Sequence, residues 1–204
     1  MSEIKLQADS GSGTTSIKGP SSTTGNAARE FLLPDVANGT LRTTTTSGAV
    51  LQVVTAEHSA TTSTTGTAYV DTGLSASITP ASSSNKIMVI VSQSWYLDRG
   101  TDQARGGIRL LRDSTVIEQG PNSADGSEGG GFGVSTANGP SAIQTAGRYS
   151  LTMVDSPSTT SAITYKTQMA NHQSSSSPTF TINKSFDSNG QNGKGYITLL
   201  EIAG

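Results

Sequence analysis

The stretch KIMVIVSQSWYL, residues 86–97, decides the fold of this chain, because it is the longest apolar run in a sequence rich in Ser, Thr and Gly. In an extended strand, successive side chains point to opposite faces. The apolar side chains then form one set on each face: Ile87, Val89, Val91 and Trp95 on one, and Met88, Ile90 and Tyr96 on the other. A strand that is apolar on both faces is typically central to a sheet and covered on both sides.

A helix of the same length is the alternative, but the β-branched content and the abrupt polar flanks favour a strand. One face of this strand can pack into the core of its own subunit. The other face needs either a second sheet or a second copy of the chain. This need for cover is the main indication of function, because no residue constellation in the sequence points to chemistry.

The composition indicates a small core. Hydrophobic residues make up 32% of the 204 residues and charged residues 14%. The hydrophobic share is below that of ordinary globular domains, while the low charge distinguishes the chain from disordered sequences. A subunit with a small core that is stabilised by oligomerisation would account for both the low hydrophobic share and the low charge.

Charge and cysteine content exclude several classes of protein. The net charge of −2 provides no electrostatic footprint for nucleic acid. Cysteine is absent, which excludes disulfides and thiolate metal sites and favours assembly in the cytoplasm. The N-terminal sequence MSEIKLQADS has no apolar signal core, and no apolar run reaches the roughly 18 residues that span a bilayer. We therefore expect no membrane insertion.

Alternating apolar residues on both sides of the central stretch predict about nine or ten strands, at spacings typical of an all-β sandwich. Asp113-Ser114 is a candidate hairpin turn, and residues 120–140 are predicted to be mostly loop. The predicted strands besides the central one cover residues 49–57, 67–71, 74–79, 105–112, 115–119, 148–154, 162–172, 179–186 and 196–203, and Ile143 is a candidate start of a further short strand. Gly73 is predicted to interrupt the strand between 67 and 79, and HSATTSTTG, residues 58–66, is predicted to be a Ser/Thr-rich link. The sets expected to share one face are Leu74, Ala76 and Ile78; Ile163, Tyr165 and Met169; and Phe180, Ile182 and Phe186.

Residues 1–48 are predicted to be an extended, β-rich attachment arm. They contain short apolar groups separated by Gly and Pro, with too few large side chains for an independent core. The arm is either a disordered tail or a segment that orders along a neighbouring protein. Its candidate attachment residues are Ile4, Leu6, Phe31, Leu32 and Leu33.

Several phrases, taken in order, resemble short virion proteins of tailed bacteriophages, especially marine ones, that are described as tail-fibre-like. The likeness covers nearly the whole chain and lies in the order of the phrases. These are IKGP at 17–20, FLLPD at 31–35, NGT at 38–40, VDTGL at 70–74, ITP at 78–80, SNKI at 84–87, DSP at 155–157, TSAITYK at 160–166 and ITLLEI at 197–202.

The resemblance implies an antiparallel jelly-roll sandwich of the C1q/tumour-necrosis-factor type over residues 49–204, assembled as a homotrimer and mounted on a phage particle. In such a trimer one sheet faces the threefold axis. Candidate trimer-interface residues are Tyr96, Tyr165, Met169 and Tyr196, with the alternative that each fills the core of its own subunit.

Residues with catalytic or metal-binding chemistry are sparse. His58 and His172 each lie near a strand end, and nothing marks a nucleophile beside them. His172 could bind a metal only if a trimer axis gathered three copies. The stretch 187–192 resembles a calcium loop, but its Gly is misplaced, so a hairpin tip is favoured. We expect no enzyme activity, no catalytic residues and no cofactor.

Polar loops are the candidates for contact with a host surface. Arg99, Arg105, Arg109 and Arg112 lie among acidic residues, which predicts a solvated or inter-subunit salt-bridge face, or alternatively contact with an acidic partner or anionic glycan. The candidate receptor-facing residues are Arg99, Asp102, Asp125, Phe132 and Asn189.

The sequence therefore predicts a structural protein of the virion, assembled in the host cytoplasm. Expected partners are other copies of the chain, the major capsid or tail proteins, and a host-surface glycan or protein. A trimeric fibre or knob anchored by its arm is one form. The other is a capsid decoration (cement) protein at threefold positions. A glycan-degrading enzyme would need paired carboxylates, for which acidic residues are too sparse.

Overall fold

The computed structural model describes residues 3–7, 14–18, 47–99, 104–119, 132–136, 143–171, 179–184 and 193–204. Within residues 3–7, 14–18 and 132–136, and at Arg99 and Ile143, only the backbone is described. All regular structure in these ranges is β-strand. The strands are β1 (Glu3–Gln7), β2 (Thr14–Lys18), β3 (Val50–His58), β4 (Thr62–Thr64), β5 (Val70–Ile78), β6 (Lys86–Arg99), β7 (Ala104–Arg112), β8 (Thr115–Glu118), β9 (Phe132–Thr136), β10 (Ile143–Asp155), β11 (Ile163–Asn171), β12 (Thr179–Ile182) and β13 (Gly195–Ile202).

The chain divides into two compact units, Met1–Leu41 and Arg42–Gly204. In the first unit, β1 and β2 form an antiparallel hairpin in which Ile4 pairs with Ile17 and Leu6 with Thr15. The remaining strands belong to the second unit. The predicted arm, residues 1–48, extends a little beyond this division.

The second unit contains two antiparallel sheets. The larger sheet has the order β3-β13-β6-β12-β4, and β10 pairs with the other edge of β6. The smaller sheet has the order β5-β11-β7-β8, and β9 also pairs with β7. The all-β, antiparallel part of the predicted fold is therefore confirmed.

Both sheets contribute to a single hydrophobic core, an arrangement consistent with a β-sandwich. Residues predicted to share a face do so in four strands, since each set packs into this core. The confirmed sets are Leu74, Ala76 and Ile78 in β5, Ile87, Val89, Val91 and Trp95 in β6, Ile163, Tyr165 and Met169 in β11, and Phe180 and Ile182 in β12.

Strand β6 is central, as its sequence predicts. One edge pairs with β10 in unbroken register from Ile87–Asp155 to Arg99–Ile143. The other edge pairs first with β13 and then with β12. Gly147 of β10 leaves room for Trp95, because a Cβ there would lie 2.7 Å from the indole ring. The expected cover on both faces is only partial, since Ile90 remains exposed.

Some strand predictions were wrong where the apolar pattern is short or missing. Strand β4 lies in a stretch predicted to be a Ser/Thr-rich link, and β9 lies within the predicted loop 120–140. Strand β10 joins the candidate short strand at Ile143 and the predicted strand 148–154 into one element, and β12 ends at Ile182. Cross-strand hydrogen bonding defines these elements, and hydrophobic periodicity does not detect it.

Strand β5 runs continuously through Gly73, where the sequence predicted an interruption. Gly73 has a φ of +92°, in the region that favours glycine. It also faces the imidazole of His58, with which a Cβ at this position would collide. Gly73 therefore allows β3 and β5 to approach each other closely, with the side chain of His58 packed against the backbone of Gly73.

Candidate interaction surface

One half of the outer face of the larger sheet is apolar, and the other described residues do not cover it. In antiparallel sheets, paired residues share a face. The register pairs Met88 with both Leu200 and Val154, and pairs Leu200 with Val53. Ile202 and Val50 form the next row, together with Lys86, and Ile90 lies on the other side of Met88. We call this surface the apolar half-face; its residues are Val50, Val53, Met88, Ile90, Val154, Leu200 and Ile202.

The exposed fractions of these side chains show that the described residues leave the apolar half-face open. Val50 is 54% exposed, Val53 56%, Val154 49% and Ile90 37%, whereas Met88, Leu200 and Ile202 are half-buried. Only two other large hydrophobic side chains of the described residues are exposed, Tyr196 on the same sheet face and Val70 on the smaller sheet. Contiguous exposed apolar patches typically mark interaction sites.

A polar strap bounds the apolar half-face on one side. It consists of Glu57, Arg148 and Lys194, which cross the sheet from β3 to β10. Lys194 Nζ lies 2.9 Å from Glu57 Oε1. Arg148 donates from Nε to Ser92 Oγ and from Nη2 to the Lys194 carbonyl oxygen at 3.2 Å. These groups are exposed and hydrogen-bonded to one another, so the strap is suited to solvent.

The outer face of the smaller sheet has the opposite character. A polar row crosses three strands: Arg109 donates to Gln168 Oε1 at 2.7 Å and 2.9 Å, and Gln168 Nε2 donates to Asp71 at 2.7 Å. Lys166 Nζ lies 3.0 Å from Asp71, and the Arg109 guanidinium lies 3.8 Å from the centre of the Tyr69 ring. The two outer faces of the unit are therefore unlike, one polar and one half apolar.

The hydrogen bonds in this row affect the ionisation of Asp71. Desolvation by burial alone would raise its pKa, but the hydrogen bonds from Gln168 and Lys166 outweigh that effect and lower the pKa of Asp71 below its ordinary value. A recess of about 60 Å³ opens beside Asp71 and Lys166. Since small-molecule pockets typically enclose at least about 300 Å³, this recess does not amount to one.

The predicted arginine cluster is divided between two environments. Arg109 belongs to the polar row, whereas Arg112 Nη1 lies 2.7 Å from Asp155 Oδ2. The Tyr165 hydroxyl donates to the same carboxylate oxygen at 2.7 Å. Burial, and then its hydrogen bond to Asp155, raise the pKa of Tyr165. This contact joins β7 and β11 of the smaller sheet to the end of β10 in the larger sheet, as a salt bridge within the subunit.

A buried carboxylate fastens the C-terminal strand. Glu201 is 1% exposed and accepts hydrogen bonds from the Ala81 backbone N–H at 2.6 Å, from Asn85 Nδ2 at 2.6 Å and from Gln52 Nε2 at 2.8 Å. Desolvation would raise the pKa of Glu201, but these hydrogen bonds hold it below its ordinary value. The side chain therefore ties β13 to β3 and to the loop before β6, directly beneath the apolar half-face.

The predicted trimer-interface residues do not lie together on one surface. Tyr165 and Met169 are fully buried in the core of the chain, and Tyr96 is 2% exposed with Lys184 Nζ 4.1 Å from its ring centre. This corrects the interface assignment of the three residues in favour of the alternative that they pack within the subunit, because a side chain enclosed by its own chain has no surface for a second copy. Tyr196, at 45% exposure beside the polar strap, remains a candidate.

Most of the predicted attachment and receptor residues lie where side chains are not described. Ile4 and Leu6 are in β1, Arg99 ends β6 and Phe132 begins β9, and for these four only backbone placement is given. The remaining predicted residues, Phe31, Leu32, Leu33, Asp102, Asp125 and Asn189, together with His172 and the stretch 187–192, are outside the described ranges.

Sequence reasoning did not place four residues of the apolar half-face, on β3 and β13, on a common surface. Val50 and Val53 lie in the predicted strand 49–57, but no face of the sheet was predicted for them. Leu200 and Ile202 were predicted only as members of the strand 196–203. A signal existed in ITLLEI, residues 197–202, which is apolar at both odd and even positions like the central stretch. Only the register shows that these residues meet Met88 and Ile90.

The described ranges contain no group of three or more His, Cys, Asp or Glu side chains that could hold a metal ion. Within the same part of the chain, no helix is long and apolar enough to span a membrane. Comparison with known proteins adds no family: no protein-family profile matches the chain, and no curated protein sequence matches it.

Proposed function

We propose that this protein is a non-enzymatic structural protein on the surface of a tailed-phage virion. It forms a homotrimer of antiparallel jelly-roll sandwiches, anchored to the particle by the arm of residues 1–48. The observation that carries the assembly is the apolar half-face, which the described residues leave open. The proposed location on a virion rests on the resemblance of short sequence segments, taken in order, to short phage virion proteins.

The order of the strands supports the jelly roll. The chain passes from β5 in the smaller sheet to β6 in the larger, returns to β7, and passes again to β10, β11 and β13 in alternate sheets. Among the described strands, the chain thus crosses repeatedly between a larger sheet of six strands and a smaller sheet of five. This alternation is typical of double-sheet jelly rolls.

The difference between the two outer faces supports a trimer with one sheet inward. The outer face of the smaller sheet is polar and internally hydrogen-bonded, so it suits solvent. The apolar half-face of the larger sheet gains free energy when it is removed from water, at about 25 cal/mol per Å² of apolar surface. With the larger sheet toward a threefold axis, the apolar half-face is removed from water and the polar outer face of the smaller sheet stays in solvent.

The arm and the host contacts complete the proposal. Attachment rests on β-augmentation and on apolar anchors in the arm, with the major capsid or tail proteins as partners. The projecting domain binds a host-surface glycan or protein through its loops. The second form of the proposal is a capsid decoration protein at threefold positions, where the arm would clamp neighbouring capsid subunits.

Labelling of intact phage particles tests the proposal. Nanobody or immunogold labelling locates the protein, and quantitative mass spectrometry measures its copy number. Hundreds of copies over the head favour the decoration protein, and a handful at the tail favour the fibre. Absence from purified particles would refute both forms. Deletion of residues 1–48 is expected to leave a soluble trimer that no longer joins the particle.

A further inference from the structure

Exposure on the apolar half-face is highest at its two margins rather than at its centre. Val50 and Val53 on β3 and Val154 on β10 are each about half exposed, whereas Ile90 on the central strand β6 is 37% exposed. Met88 and Leu200, between the margins, are half-buried by their own neighbours. The most exposed apolar surface thus lies in two places on the same face, at the opposite edges formed by β3 and β10.

Both margins are also edges of the sheet. Among the described residues, β3 pairs only with β13 and β10 pairs only with β6. Strand β10 presents its free edge over 13 residues, in a register with β6 that contains no bulge. Its sequence, IQTAGRYSLTMVD, lacks Pro and Lys, which commonly protect exposed edges from other chains. A neighbouring molecule can therefore approach either margin closely.

Two separated contact sites favour a head-to-tail arrangement. A twofold, face-to-face dimer would bury mainly the centre of the half-face, which its own neighbours already bury in part. A ring gives every copy two neighbours, one at each margin, and closes without leaving a free apolar surface. The margins also differ in charge: the β3 margin carries the Glu57–Lys194 ion pair and the β10 margin the basic Arg148, so contact between unlike margins avoids bringing two arginines together.

We propose that copies of this chain associate head to tail, with the β10 margin around Val154 of one copy packed on the β3 margin around Val50 and Val53 of the next. The inference rests on the proposed trimer and specifies which surfaces of the copies meet. In such a ring, Val154 of each copy lies close to Val53 of its neighbour. Within one copy, the two valines are separated by three strand spacings, about 14 Å.

Cysteine cross-linking of the full-length protein tests this arrangement, and the natural absence of cysteine removes any background. The variants are Val53→Cys, Val154→Cys, the double variant, and a control with Val70→Cys and Val154→Cys, since Val70 is an exposed valine of the smaller sheet. Each is treated with a short bis-maleimide and separated by denaturing electrophoresis. Native mass spectrometry of untreated samples records the assembly independently.

We expect the Val53/Val154 double variant to give covalent dimers and trimers, with the ladder ending at the trimer, whereas both single variants and the control stay monomeric. Covalent dimers from either single variant would overturn the head-to-tail arrangement in favour of a twofold contact. A trimer by native mass spectrometry without cross-links in the double variant would also overturn it while leaving the proposed trimer intact. A monomer by native mass spectrometry would refute the trimer itself.

Discussion

Val53 and Val154 lie at opposite ends of a single row of paired residues that crosses the larger sheet. The row runs from Val53 on β3 through Leu200 and Met88 to Val154 on β10. Every member is apolar, and both end members are about half exposed. Since an exposed apolar row of this width is unfavourable in water, we propose that a second copy of the chain covers it at each end.

Substitution of Val53 by Asp is expected to dissociate the oligomer while the subunit stays folded. The side chain is 56% exposed in a single chain, so the charge can remain hydrated in the monomer but not in the interface. We expect the dissociation constant to rise by at least tenfold, measured by native mass spectrometry and light scattering over a dilution series. Val70→Asp is the matched control, because Val70 is exposed on the other sheet, and an equal loss of assembly there would contradict the assignment of the interface.

Adjacent residues of β6 are expected to respond differently to the same change. Val89 is fully buried in the core, so Val89→Asp introduces an unpaired charge without solvent and is expected to cost more than about 4 kcal/mol and abolish folding. Ile90 faces outward and is 37% exposed, so Ile90→Asp is expected to fold but fail to assemble. Thermal unfolding followed by circular dichroism separates the outcomes; a normal transition for Val89→Asp would mean that the core is misplaced.

Glu201 is expected to make stability depend on acidic pH. Its pKa is lowered in the folded chain, so its contribution is fully present above its unfolded-state pKa of about 4.3 and is lost as the pH falls through the lower folded-state pKa. Glu201→Gln retains one acceptor oxygen and places an N–H among donors, at a cost of about 1–3 kcal/mol near neutral pH.

Chemical denaturation between neutral and acidic pH measures this effect. The wild-type protein is expected to lose the stability difference from Glu201→Gln as the pH falls, so that the two curves converge. Glu57→Gln removes an exposed carboxylate that pairs with Lys194 and is expected to cost less than about 1 kcal/mol. Parallel curves for the wild type and Glu201→Gln would show that the buried carboxylate does not contribute as proposed.

Gly73→Ala is expected to destabilise the subunit by about 1–3 kcal/mol. The backbone at Gly73 has a φ of +92°, which is unfavourable for alanine, and the new Cβ would collide with the imidazole of His58. Gly66→Ala is the control, because its nearest neighbour would be Thr64 Oγ1 at 3.8 Å. Urea denaturation of both variants measures the difference, and equal stabilities would contradict the close packing of β3 on β5.

The sequence alone predicted the all-β class and the inward faces of several strands. Alternation of apolar side chains was sufficient for this, because the two-residue period of a strand determines which residues can be buried together, as with Ile87, Val89 and Val91. It also indicated that Met88 and Ile90 need cover from outside their own core. It did not identify β4, whose Ser and Thr residues carry no such period, or β9, where only Phe132 and Val134 alternate within a Gly-rich stretch.

Only the tertiary structure decided which residues form the candidate surface. Tyr165 and Met169 were predicted at the interface because they are large and apolar, but the pairing of β11 with β5 and β7 turns them into the core. Val53, Leu200, Met88 and Val154 come from four separate parts of the sequence, and antiparallel register brings them into one row. Register depends on hydrogen bonds between residues distant in the chain, so local pattern determines which side chains share a face but not which strands become neighbours.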